Sequence, residues 1–101
     1  MDIATPPDDC QTMAQVRAGV DALDRDLVAL LARRFAYMRA AARIKPERAM
    51  VRDEARKAAV IAAARAEAQR LGAPAERIAA LWEALVESSI AYELEQWDAR
   101  D

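Results

Sequence analysis

The sequence contains no histidine and a single cysteine, Cys10. The first absence removes the commonest general base and metal ligand. The second means that no internal disulfide can form, which fits a reducing, cytoplasmic setting. Only two glycines are present and no run of β-branched residues occurs, so an all-helical chain is expected. No apolar stretch approaches the roughly 20 residues that span a bilayer, and MDIATPPDD at the start lacks the basic and apolar regions of a signal peptide. No membrane partner is expected. A basic excess is missing too: 15 Lys and Arg stand against 17 Asp and Glu, whereas nucleic-acid modules are normally basic. Neither an internal repeat nor a low-complexity linker interrupts the 101 residues, which read as one small domain.

What is present is helical periodicity. Residues 1–11, with Pro6 and Pro7, form an irregular N-terminal arm. Thr12 and Gln15 then fit a capping box that opens a helix of about nine turns, Thr12 to Lys45. Pro46 ends it, because the residue before a proline is pushed out of the α region. Residues 46–52 make a loop. Asp53 is a good N-cap for a second helix that Gly72 closes, and Pro74 suits the first position of a third helix reaching about residue 98.

The stripe of the first helix runs through Val16, Val20, Leu23, Leu27, Leu30, Leu31, Met38 and Ala41. A helix of that length measures roughly 50 Å, against a radius of gyration of about 13 Å for a compact domain of this size. One copy cannot cover the stripe with its two shorter helices, so a homodimer with paired long helices is expected.

Polar residues intrude on these apolar faces. Arg34 and Lys45 project from the first stripe with Arg17 near its edge. Asp53 and Lys57 lie on the second, with Arg56 at the margin, and Ser89 and Glu93 fall inside the third one turn apart. A cation on a buried face is costly unless an anion meets it, and these cations outnumber the acids. A pocket with surplus positive charge suits a small dianion, which arginine forks can grip in bidentate fashion. No nucleophile with an adjacent base and no metal cluster is visible, so such a site would act by shape and fixed charge. Each residue also has a plainer reading. Arg34 can snorkel to water, Lys45 suits a helix C-terminus and Asp53 suits an N-cap. Ser89 can bond back to its own helix, Glu93 can pair with an arginine, and Arg17 and Arg56 can be solvated.

The set as a whole resembles the all-helical class of chorismate mutases. VRAGVDALDRDLVALLARRFAYMRAAARIK is similar to that family's first helix, with its arginine, its V-D-x-L-D core, its L-L-x-x-R turn and its closing lysine. VRDEAR resembles the motif that opens the second helix, and LVESSIAYE a segment of the third. The resemblance implies an intertwined homodimer of three-helix chains, with no cofactor and no metal, acting on chorismate in the shikimate route to aromatic amino acids. Arg17 of one protomer would join Arg34, Lys45, Asp53, Arg56, Ser89 and Glu93 of the other. The three arginines would bind the two carboxylates, Lys45 a carboxylate and the ether oxygen, Asp53 the ring hydroxyl, and Ser89 would be auxiliary. The reaction implied, a Claisen rearrangement to prephenate, transfers no proton, which makes the lack of histidine intelligible.

Two positions depart from the family pattern. Glu93 stands where many members carry glutamine, and must be neutral to donate to the ether oxygen. Lys57 stands where a glutamate often helps hold the ring hydroxyl, and is expected to raise the positive charge of the site. Two rival functions follow. Isochorismate-pyruvate lyase, on the same fold, shares the Asp8–Asp9–Cys10 element and an aromatic residue like Trp97, although the intact V-R-D with Asp53 favours the mutase. A non-catalytic helical dimerisation module would make the stripe cations mere surface groups.

Overall fold

The structure is a computed structural model that describes residues 4–101. Among them every regular element is helical: a 3-10 turn Pro7–Asp9, α1 (Met13–Ile44), a second 3-10 turn Arg48–Met50, α2 (Glu54–Arg70) and α3 (Ala75–Asp98). The chain divides into two compact units, one ending at Arg34 and the other running Phe35–Asp101, and α1 extends from the first into the second.

In the first unit the capping box forms as expected. The Gln15 amide donates to Thr12 Oγ1 at 3.2 Å, and Gln15 Oε1 accepts from the Thr12 amide at 3.1 Å. Residues 1–3 of the expected arm lie outside the described residues; within the rest of it the paired prolines pre-set the turn Pro7–Asp9. Pro6, Pro7 and Cys10 line a cleft together with Val16 and Val20 of α1. Further along, the stripe is open: Leu23 is 60 % exposed, Leu27 53 % and Leu30 56 %.

The second unit has the core. Val51, Val86 and Ile90 are buried, with Val60, Ile61, Trp82, Leu94 and Trp97 packed around them. Ala42, Ala68 and Ala79 are also buried, small side chains that let backbones approach closely. The last part of α1 is tied to α3 by the Phe35 and Tyr92 rings, edge to face at 5.1 Å, and by Arg39, which donates to the Tyr92 hydroxyl at 3.0 Å.

Element ends follow local chemistry. The segment after Pro46 is not a plain loop, since Arg48–Met50 closes into a 3-10 turn. Gly72 takes φ 70°, its amide donating to Gln69 O at 3.2 Å and that of Ala73 to Ala68 O at 2.8 Å, the paired bonds of a Schellman ending. Pro74 corrects the sequence reading: it is the N-cap of α3 with ψ 94°, not its first helical residue. Ala73 has no side-chain acceptor to serve as a cap and is already engaged in closing α2. Pro74 therefore stays extended and offers its carbonyl to Ile78 at 3.0 Å.

Candidate active site

The middle of α3 presents two buried polar side chains one turn apart, Ser89 and Glu93, only 3 % and 4 % exposed. The Glu93 carboxylate meets the ammonium of Lys45 at 2.7 Å, an ion pair rather than the arginine pairing considered from sequence. Lys45 comes to this position because α1 stops there, its amide making the last helical bond, to Ala41 O at 2.9 Å. Loss of Lys45, itself half-buried, would leave the buried Glu93 carboxylate uncompensated. Ser89 donates to Leu85 O at 2.7 Å, the intrahelical bond that was its plain reading.

At the start of α2, Asp53 Oδ1 accepts from the Arg56 amide at 2.9 Å. This is the N-cap expected of it. A carboxylate has a second oxygen, so capping and contact with a ligand are compatible. Arg56 is exposed.

Lys57 behaves differently from expectation. Its ammonium pairs with Glu83 at 2.7 Å and with Glu87 at 2.8 Å, and these hydrogen bonds, Glu83 first, raise its pKa above the ordinary lysine value. Arg52 donates to the same Glu87, at 2.8 and 3.0 Å, and also to Glu54. Hydrogen bonds from Arg52 and then Lys57 pull the Glu87 carboxyl down to about 2. The expectation that Lys57 raises the positive charge of the site is therefore corrected: two carboxylates neutralise it. Arg52, Glu83 and Glu87 were missed from sequence. Their signal was there, acids at i and i+4 on α3 and cations at 52, just before α2, and at 57 within it, but nothing in the pattern says that the two groups meet.

The structure thus brings Lys45, Glu93 and Ser89 together, joins Asp53 to Arg56 through the cap, and fastens the start of α2 to α3 through Arg52, Lys57 and Glu87. Arg17, exposed, and Arg34, half-buried, stand on α1 in the first unit.

Residues 16–94 match the family model for chorismate mutase type II. The chain belongs to this chorismate mutase family. The matched span contains all eight polar positions singled out by periodicity, from Arg17 to Glu93. An isochorismate pyruvate lyase of Pseudomonas aeruginosa is 31 % identical over 91 residues, covering 90 % of each chain. Membership places the protein among enzymes of the chorismate mutase type, and that relative carries the name of a lyase. No helix among the described residues is long and apolar enough to cross a membrane.

Proposed function

We propose that the protein is a chorismate mutase that converts chorismate to prephenate by holding the reactive conformer and stabilising charge on the breaking ether. The observation that carries this reading is the pairing of half-buried Lys45 with buried Glu93, with Ser89 one turn away, in a segment that matches the family. In the rearrangement the ether C–O bond breaks while a C–C bond forms within one molecule, so no residue has to move a proton. Lys45 has more than one donor, so its ammonium can keep Glu93 and still reach a carboxylate and the ether oxygen. Glu93 would hold the Lys45 ammonium beside that oxygen, and Asp53 would hold the ring hydroxyl. Ser89 is an auxiliary contact. Arg34, Arg56 and the Arg17 of a second protomer would bind the carboxylates. Fixed charge in a site shielded from water is worth more than the same charge in bulk solvent.

The second protomer is part of the proposal. Leu23, Leu27 and Leu30 remain more than half exposed on one chain, and fully burying such a side chain stabilises by about 1.5–3 kcal/mol. An intertwined homodimer would cover them and bring Arg17 to the neighbour's site.

The second reading is an isochorismate-pyruvate lyase, favoured by the name of the 31 % identical relative. Incubation with chorismate and, separately, isochorismate distinguishes the two. Prephenate from chorismate supports the mutase, and salicylate plus pyruvate from isochorismate supports the lyase.

A further inference from the structure

The end of α1 has an unusual hydrogen-bonding problem. In a continuing helix the Ala42 carbonyl would accept from the amide four residues on, but that residue is Pro46, which has no N–H. Ala42 is 2 % exposed, so bulk water is a poor substitute. Arg100 supplies the missing donor, its Nη1 lying 2.9 Å from Ala42 O. The same nitrogen reaches Lys45 O at 2.5 Å, and Trp97 Nε1 donates to that carbonyl at 3.2 Å. The Arg100 guanidinium stacks over the Trp97 ring, 4.6 Å from its centroid, so each holds the other in place. Beside them Asp98 takes Arg48 in a two-pronged ion pair at 2.8 and 3.1 Å, anchoring the turn that follows Pro46.

Glu93 and Trp97 are one turn apart on α3. One holds the Lys45 ammonium and the other its carbonyl, so a single face of α3 grips this lysine at both ends. We propose that Trp97 and Arg100 are positioning residues for Lys45. Arg100 replaces the donor that Pro46 lacks and Trp97 holds the Lys45 carbonyl, and together they fix the backbone from which the ammonium is aimed. The inference rests on the reading that Lys45 touches the substrate. A long, flexible side chain is well placed only if its root is, and displacement of a reacting group by about an ångström can cost up to about a hundredfold in rate. Neither residue lies in the span that matches the family, and neither is proposed to touch the ligand.

The test is a double-mutant cycle on the full-length protein, using whichever of chorismate and isochorismate it consumes. Trp97→Phe keeps a ring but loses the N–H. Arg100→Ala removes an exposed side chain, and Arg100→Lys restores one donor. Trp97→Phe and Arg100→Ala are expected to lower kcat/KM about tenfold, with Arg100→Lys intermediate, whereas in a Lys45→Gln background each costs less than about twofold. In both variants the Lys45 amide should exchange with solvent faster by NMR, while those of Val60 and Ile61 stay protected. Equal losses in both backgrounds, or no loss with Lys45 present, overturn the inference and leave the site reading standing. Lys45→Gln with full activity, or failure to consume either substrate, overturns the site reading and the inference with it. If Lys45→Gln falls to the uncatalysed rate, amide exchange decides: an unchanged Lys45 amide overturns the inference, and faster exchange beside the kcat/KM loss sustains it.

Discussion

Asp53 is given two jobs, helix cap and ligand contact, and the two can be separated by substitution. Asp53→Ala deletes the acceptor for the Arg56 amide, a bond of 2.9 Å at an exposed helix start. Loss of such a cap costs about 1 kcal/mol, which lowers the melting midpoint by roughly 4–8 °C in a chain of this size. Asp53→Asn keeps an equivalent acceptor and should melt within about a degree of the parent, since Asn caps as well as Asp. Catalysis separates the pair differently. A hydrogen bond from a ring hydroxyl to a carboxylate contributes about 1.5–3 kcal/mol, so Asp53→Ala should lose roughly 10- to 100-fold in kcat/KM. The neutral amide of Asn makes a bond about half as strong, a loss of roughly fivefold. Thermal melts by circular dichroism and steady-state turnover on chorismate and isochorismate read both effects. An Asn variant that melts as low as the Ala variant refutes the cap argument. Equal turnover in all three proteins refutes the contact with the ring hydroxyl.

Four further outcomes are expected. Glu93→Gln keeps an acceptor for the Lys45 ammonium, which lies 2.7 Å from Glu93, and should retain turnover that Glu93→Ala loses; equal turnover in the two variants refutes a role for this side chain. Glu87 is held down to about 2 from its ordinary 4.5, so its contribution to stability is fully present above about pH 4.5 and is lost as pH falls through about 2. A plot of melting midpoint against pH should therefore drop less steeply over that window for Glu87→Gln than for the parent, and parallel curves would count against the assignment. Leu27→Glu puts a charge on a stripe residue that is 53 % exposed in one chain; sedimentation should show monomers in place of dimers, and an unaltered profile argues against the seam. Arg34→Ala should lose most turnover while sedimenting as a dimer, and full activity in that variant removes Arg34 from the proposed site.

Much of this molecule was legible from local chemistry. Pro46, Asp53 and Gly72 mark helix ends through effects that reach no further than one turn, and the three helices run within a residue or two of where these signals place them. Helical spacing also located the buried hydroxyl of Ser89 and carboxyl of Glu93, because angle sets them on the same face of α3 as the buried Val86 and Ile90. Pro74 was misplaced by one residue, since its role depended on how α2 closed before it.

The sequence by itself determined the three helices, most of their ends and the burial of Ser89 and Glu93 on one face of α3, because these follow from short-range sterics and periodicity. The tertiary structure alone decided the pairings. Lys45 meets Glu93 across 48 positions and Lys57 meets Glu87 across 30, and which acid faces which base depends on the register in which the helices pack. Trp97 and Arg100 find backbone carbonyls, an acceptor that every residue carries. Pro46 leaves the Ala42 carbonyl without its helical donor, but only packing buries that residue and brings the end of α3 close enough to supply another donor.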